Sequence, residues 1–459
     1  MHQRLDQLLI LLLAGISPAL LIAISIAEPY AGKAMNLPAA EIIWFAEAFL
    51  IGTLAVMPLS GTLLTRMGFV RLTWVCLAGT LLSGVGIVAC DVLIRPQVQD
   101  PVLCLMVLAG VFSAPLAPAA QAFAVATHPA ELRGQAMALW GGGRFAGFLL
   151  TALLAGHLIE NLGWSFPLAI GLVMALPCFA MLHQPSRLLH NPEFGMDLRG
   201  LCLLLLALVP LLLALNLGPL FNSDGRDMLL VGMLIVTLVA GVAFVRHALR
   251  KPDPIVSLAP LIGPDFRIAT FVAFIVAVMT TGQFSILMVS ELAKVSADML
   301  GWRTTVGGVA QIVGVAAGGY LVRPMLARPG ACLALIVTAL GLASFNLYGT
   351  SVSLVEISAT RALMGFGLGL TVPLFAAFAY SGFDEARTAS ASSLFVFASM
   401  MGTGIGVAAL GGEFDVASAI LDDPLSAYRV VFWTQAIGVL LLLPLIWLLR
   451  VRDLTPAKR

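Results

Sequence analysis

Long apolar runs separated by short polar connections dominate the chain. About 20 mostly apolar residues are needed for a helix to cross the hydrocarbon core of a membrane. Runs of that length predict 14 transmembrane helices and leave no stretch long enough for a soluble domain, so the predicted fold is an all-α polytopic membrane protein. The runs lie at 8–32, 41–65, 71–93, 101–127, 133–159, 164–183, 197–218, 227–247, 267–291, 302–325, 331–350, 353–380, 388–412 and 428–449.

The longer polar connections divide these runs into groups. Residues 184–199 and 246–267 bracket the seventh and eighth runs, and residues 413–427 form a third polar connection, predicted to lie outside the membrane. A weak internal repeat, GTLLTRMGFVR against GGYLVRPMLARPG, indicates duplicated halves. We therefore predict a six-helix bundle at 1–185, a linker with two extra transmembrane helices at 186–255, and a second six-helix bundle at 256–459.

Composition and charge support the membrane class. The chain of 459 residues is 60% hydrophobic and 11% charged, with a mean hydropathy of +1.01. Its net charge of +1 gives no signature of nucleic-acid binding. Most of the 25 Lys and Arg residues fall on one side, which predicts that this side is cytoplasmic. An even number of spans then places both termini in the cytoplasm, with the first run retained as a helix and not cleaved as a signal peptide.

Motifs for enzyme chemistry are missing from the sequence. No Walker sequence, H-E-x-x-H or G-x-S-x-G motif occurs, and the six cysteines lie in apolar runs without C-x-x-C spacing. We therefore expect no enzyme, no cofactor and no metal site. The expected partners are a small-molecule substrate, protons and the lipid bilayer.

Two carboxyl groups within the apolar runs are candidates for proton coupling. Glu47 lies about 10 Å inside the outer end of the second run, and Glu28 lies near the outer end of the first. Burial favours the neutral form of a carboxyl group, so an acid at such depth can exchange its proton when water or substrate reaches it. The alternative for Glu47 is a structural hydrogen bond between helices. The alternative for Glu28, which precedes Pro29, is contact with lipid headgroups.

Two arginines also lie at membrane depth. Arg144 is near the middle of the fifth run and Arg361 about a third of the way along the twelfth. A guanidinium there needs an acid, a carbonyl group or water, so both are candidates to tune an acid or to hold an anionic substrate. Structural pairing is the alternative, with Glu356 as the nearby acid for Arg361.

Polar and aromatic residues at similar depths predict a mixed substrate cavity suited to a lipophilic or amphipathic compound. Lipid-facing positions are the alternative for the aromatic residues. Charged residues near the ninth run, including Asp298 and Arg303, are interpreted as a solvated outer surface. The predicted cavity residues, besides the two arginines, are Trp44, Phe49, Phe145, Thr281, Gln283 and Gln311.

Several motifs, taken in order, resemble the major facilitator superfamily in its fourteen-helix drug:proton antiporter branch, the EmrB/QacA type. Gly61, Arg66, Gly68 and Arg71 fit the superfamily's G-x-L-a-D-R-x-G-R-k loop, and the resemblance implies that this turn closes the cytoplasmic side. Further similarities lie in Trp44 to Phe49, Met196 to Gly218 (l-D-x-x-G), Pro254 to Phe266, Arg361 to Gly369 (R-x-l-x-G-x-G-x-G) and Ser392 to Gly406.

The chain also departs from this pattern, as a divergent member would. Thr65 stands where the loop motif has an acid, and the helix 5 motif G-P-x-x-G-G reads Thr151 to Gly156. The branch's acid in the middle of helix 1 is missing, which increases the weight of Glu47.

The resemblance implies a bacterial inner-membrane transporter that exports small lipophilic or amphipathic toxic compounds in exchange for protons by alternating access. Export of a metabolite such as a siderophore, an amino acid or an organic anion is the alternative, and a receptor or channel is a third reading. The sequence leaves open whether a periplasmic adaptor and an outer-membrane channel act with the protein.

Overall fold

A computed structural model describes residues 2–37, 42, 44–94, 99–127, 133–182, 197–217, 226–251, 254–256, 258–281, 295–323, 325–348, 353–380, 385–421 and 423–450. The regular elements in these residues are all helices. In chain order they are α1 His2–Ala34, α2 Trp44–Met67, α3 Phe69–Val92, α4 Asp100–Ala124, α5 Arg133–Asn161, α6 Leu168–Met181, α7 Leu198–Leu217, α8 Arg226–Arg250, α9 Pro264–Met279, α10 Ala297–Leu321, α11 Ala327–Leu347, α12 Leu354–Tyr380, α13 Glu385–Leu421 and α14 Pro424–Leu448.

Each predicted apolar run coincides with one of these helices, so the all-α polytopic fold is confirmed. Within the described residues, 11 helices are long and apolar enough to cross a membrane, and α6 and α7 contain shorter apolar helices. α9 is described only as far as Met279. α2 is interrupted by a short 3-10 turn at Met57–Leu59, where Pro58 cannot donate a backbone hydrogen bond.

One predicted connection was wrong. Residues 413–427 were expected to form an outer loop, but α13 continues to Leu421. From Glu413 to Asp423 the segment contains no Gly or Pro that would stop the helix, and Pro424 comes only after the helix has ended at Leu421. Asp423 then begins α14, since its carboxylate accepts hydrogen bonds from the backbone N–H groups of Leu425 (3.2 Å) and Ser426 (3.1 Å).

The described residues cluster into two compact units. The first comprises residues 1–196 and 296–302, and the second residues 197–295 and 303–459. In the first unit, α1 is central: it packs against α4, α5 and α6, and 72% of its most apolar stretch is buried. The remaining main contacts pair α2 with α4, and α3 with α4 and α6.

The second unit repeats the same pairings. α9 packs against α12, α13 and α14, just as α1 packs against α4, α5 and α6 in the first unit. Likewise, α11 packs against α12 and α14, as α3 packs against α4 and α6. The recurrence agrees with the duplication that the sequence repeat indicated. The predicted domain boundaries after residues 185 and 255 stay a prediction.

The extra helix pair α7 and α8 belongs to the second unit, where α7 contacts α13. Asp197 connects this pair with the segment that follows it. Its carboxylate accepts hydrogen bonds from the Gly200 N–H (3.0 Å), His247 Nε2 (2.8 Å), Lys251 Nζ (2.9 Å) and the Ile255 N–H (3.2 Å). The D-x-x-G motif thus serves as an N-cap that joins the ends of two helices.

Candidate functional site

The two predicted proton-coupling acids are both buried in the first unit. Glu47 is 0% exposed and Glu28 is 2% exposed, on the contacting helices α2 and α1. Their sequence neighbours Ala46, Ala48 and Ala27 belong to the hydrophobic core of this unit. Both carboxyl groups therefore lie in an apolar interior, where a change of charge needs a partner or a conformational change.

Close packing of α2 on α4 explains how Glu47 comes to be enclosed. A Cβ atom on Gly52 would lie 2.0 Å from the Val107 carbonyl oxygen, and one on Gly110 would lie 2.1 Å from the Phe49 carbonyl oxygen. Only glycine allows the two backbones to approach so closely. Phe49, predicted to line the cavity, is a core residue with 1% exposure, whereas Trp44 is half-buried.

Arg144 lies on α5, between two glycines that contact α1. Cβ atoms on Gly143 and Gly147 would each lie 2.3 Å from an α1 carbonyl oxygen. The Arg144 guanidinium lies over the Trp140 ring, 5.2 Å from its centroid, and the Trp140 indole donates a hydrogen bond to the Ala117 carbonyl oxygen (2.9 Å). No carboxylate in the described part of the chain forms an ion pair with Arg144. Phe145, beside it, is half-buried.

The basic turn between α2 and α3 has a glycine at its centre. Gly68 has φ +77° and ψ 159°, a conformation that side chains disfavour, and its N–H bonds to the Leu64 carbonyl oxygen. Arg66 and Arg71 are exposed on either side. Thr65, which replaces the family's acid, donates its hydroxyl to the Gly61 carbonyl oxygen (3.0 Å).

Two arginines lie close together in the interior of the second unit. Arg303 on α10 is 0% exposed and lies over the Phe345 ring, 5.9 Å from its centroid. Arg361 packs against Gly307, which lies one turn after Arg303 on α10. A Cβ atom on Gly307 would lie 3.5 Å from Arg361 Nε. The two positive charges are near enough to repel each other. They bring a buried and a half-buried basic side chain to one part of the second unit.

The interpretation of Arg303 as a solvated residue was therefore wrong. The tenth predicted run already placed Arg303 on a helix, but its charged neighbours suggested a solvated surface, whereas α10 turns Arg303 inward. Thr304 and Gly307 are buried with it. The spacing of three and four residues along this face is the signal that would have predicted its burial.

The other predicted cavity residues in the second unit make mainly structural contacts. The hydroxyl of Thr281 donates to the backbone carbonyl oxygens of Ala277 (3.3 Å) and Val278 (3.2 Å). A Cβ atom on Gly406 would lie 2.4 Å from the same hydroxyl oxygen. Gln311 is half-buried, and its carbonyl oxygen contacts Gly369. Gln283 lies outside the described residues.

The candidate residues thus divide between the units. The first unit carries both acids, Arg144 and the basic turn, and the second carries Arg361 and the unpredicted Arg303. Among the residues described, no group of three His, Cys, Asp or Glu side chains could hold a metal ion.

Comparisons with known proteins agree with this architecture. A model of the Major Facilitator Superfamily matches residues 9–245 and 266–459. The multidrug export protein EmrB of Haemophilus influenzae is 24% identical over 386 residues, covering 79% of this chain and 71% of that protein. The fatty acid resistance protein FarB of Neisseria gonorrhoeae is 25% identical over 283 residues, covering 60% and 54%.

A solved structure has a similar fold. The auto-inhibited POT family peptide transporter is matched with a TM-score of 0.70 over 99% of this chain and 98% of that one. At 16% sequence identity, this likeness concerns the fold alone.

Proposed function

The chain belongs to the Major Facilitator Superfamily, and from that premise we propose that it is a proton-coupled secondary transporter that exports small lipophilic or amphipathic compounds by alternating access. The observation that carries the proposal is the complete burial of Glu47 within a membrane-spanning helix. A carboxyl group in that position is costly, and such groups in transporters commonly bind the coupling proton.

Glu47 takes the principal role, exchanging its proton for substrate, and Glu28 assists it from the contacting helix α1. In one state of the cycle water reaches Glu47 and the proton leaves; in the other, substrate leaves and the proton returns. The basic turn at Arg66 and Arg71 closes the cytoplasmic side.

Two neighbouring arginines support an anionic group on the substrate. Arg303 is 0% exposed, the half-buried Arg361 lies near it, and guanidinium groups bind anions through two parallel hydrogen bonds. Arg144 and its aromatic neighbour Trp140 offer a second, mixed surface. The names of the two relatives, one for multidrug export and one for fatty acid resistance, are compatible with amphipathic substrates. Export of an organic-anion metabolite is the second candidate function, and the same arginine pair favours it.

Everted membrane vesicles test the coupling. Respiration acidifies their interior, and a substrate taken up in exchange for protons collapses the pH gradient. Suitable test compounds are 8-anilinonaphthalene-1-sulfonate, an amphipathic anion, and ethidium, an amphipathic cation. We expect the anion to collapse the gradient with the wild-type protein and not with Glu47→Gln. Glu160→Gln, an exposed glutamate at the end of α5, is the matched control and keeps wild-type behaviour.

Three outcomes contradict the proposal. Equal collapse with Glu47→Gln removes Glu47 from coupling. Uptake of either compound without any proton movement indicates a uniporter. The absence of both uptake and proton movement points to a receptor or to a different substrate class.

The location proposed is the bacterial inner membrane with both termini in the cytoplasm. We also propose a periplasmic adaptor and an outer-membrane channel as partners. Co-purification of the protein from membranes tests whether they bind.

A further inference from the structure

A basic cavity lies at the junction of α7 and α8, and none of the residues proposed for transport lines it. It has a volume of about 460 Å³, and it is lined by Arg199, Ala243, Arg246, His247, Arg250 and Lys251. We propose that this cavity binds the phosphate headgroup of an anionic phospholipid.

The charges around the cavity are unbalanced. Asp197 accepts from His247 and Lys251 and so offsets the charge of that part of the wall. The guanidinium groups of Arg199, Arg246 and Arg250 are not paired with a carboxylate among the residues the structure describes. Among the described residues, these three guanidinium groups thus have no carboxylate partner, and guanidinium groups bind phosphate through two parallel hydrogen bonds.

The positions of the three arginines on α7 and α8 bring them to the same cavity. Arg246 and Arg250 are four residues apart on α8, so they lie one above the other on the same face. Arg199 comes from the first turn of α7, and Asp197 holds that turn to the end of α8 through His247. The buried Asp197 thus holds the two helix ends together, and Arg199, Arg246 and Arg250 lie exposed at the cavity.

The surroundings favour a lipid over a soluble phosphate. On α8, the face that carries Arg246 continues into the membrane as Val242 and Val239, which are 45% and 63% exposed. Only 11% of the most apolar stretch of this helix is buried. A phospholipid with its phosphate in the cavity can lay its acyl chains along this face. Cavities lined by basic residues at the ends of membrane helices are typical sites for anionic headgroups.

The test uses the full-length protein, purified and delipidated in a zwitterionic detergent. Native mass spectrometry measures binding of phosphatidylglycerol and of phosphatidylcholine to the wild type and to the double variant Arg246→Gln/Arg250→Gln. We expect the wild type to prefer phosphatidylglycerol. The double variant loses affinity for it about 30-fold, as expected for two headgroup contacts, and keeps its weak binding of phosphatidylcholine.

The matched control is Arg267→Gln, an exposed arginine on α9 of the same unit, outside the cavity. It keeps the wild-type preference. Should the double glutamine variant fail to fold, Arg246→Lys/Arg250→Lys keeps both charges but loses the two-pronged geometry, and it shows a smaller, measurable loss of phosphatidylglycerol binding.

Three results overturn the proposal. The first is equal binding of the two lipids by the wild type. The second is undiminished phosphatidylglycerol binding by both arginine double variants. The third is complete displacement of phosphatidylglycerol by millimolar inorganic phosphate. This result would mean that the cavity does not prefer the lipid and binds a soluble anion.

Discussion

At the residue scale, the buried charges differ in how their surroundings compensate them. Asp197 receives four hydrogen bonds, two of them from side chains that can carry positive charge. Arg303 lies over the Phe345 ring and close enough to Arg361 to feel its positive charge. A buried charge held by several hydrogen-bond donors fits a structural role, whereas the proximity of two like charges supports the proposed binding of an anion.

The structural role of Asp197 predicts a pH-dependent stability. Burial raises the pKa of this carboxyl. The hydrogen bonds from His247, Lys251 and two backbone N–H groups lower the pKa by more than burial raises it, so the pKa is well below its ordinary value. A depressed pKa contributes stability that is complete above the unfolded pKa of about 3.9 and is lost as the pH falls towards the folded pKa.

Asp197→Asn therefore lowers the free energy of unfolding by about 2 kcal/mol at neutral pH. The difference in thermal unfolding between wild type and variant stays constant from about pH 8 to pH 5 and shrinks below about pH 4. Asp100→Asn, an exposed aspartate, is the control. If Asp197→Asn unfolds at the same temperature as the wild type at neutral pH, the carboxylate does not hold the α7–α8 pair.

The arginine pair gives a prediction about specificity. Arg361→Gln raises the KM for 8-anilinonaphthalene-1-sulfonate about tenfold, because it removes one charge-assisted hydrogen bond to the anion. Ethidium transport, where the wild type shows it, does not weaken. Uptake rates in proteoliposomes measure both, with Arg267→Gln as the control. A matched loss for anion and cation would show that Arg361 acts on the fold and not on the substrate.

At the element scale, glycines determine how the helices cross. On α12, the R-x-l-x-G-x-G-x-G motif places Gly365 and Gly369 against α10, where Cβ atoms would lie 2.2 and 2.1 Å from the carbonyl oxygens of Gly307 and Gln311. The pairing of α2 with α4 in the first unit uses Gly52 and Gly110 in the same way. This motif, one of several that carry the family resemblance, is thus largely a helix-packing motif.

Replacing one of these glycines tests this reading. Gly365→Ala forces α10 and α12 apart and lowers stability by about 1–3 kcal/mol, as overpacking does. Gly319→Ala is the control on α10, since a Cβ there meets nothing within 4 Å, and alanine favours the helix by about 1 kcal/mol. Thermal unfolding of the purified variants compares them. A Gly365→Ala protein as stable as Gly319→Ala would mean that the close contact is not needed.

At the scale of the whole molecule, apolar run length predicted the helices, because a membrane demands about 20 apolar residues from each span. It did not predict the end of α13, since that helix continues past the apolar run to Leu421. Nor did it predict the burial of Arg303, because run length places a residue on a helix but does not show which side of that helix faces the interior. The burial of Glu47 was predictable, because an acid inside an apolar run is rare and is costly to expose to lipid.

The central claim is that Glu47 couples substrate export to proton movement. Proteoliposomes allow two measurements on one protein: uphill transport of 8-anilinonaphthalene-1-sulfonate driven by a pH gradient, and exchange of the labelled for the unlabelled compound without a gradient. The account predicts that Glu47→Gln keeps exchange and loses uphill transport, because the carrier still cycles with substrate bound but no longer carries a proton. Uphill transport by Glu47→Gln at the wild-type rate would contradict it.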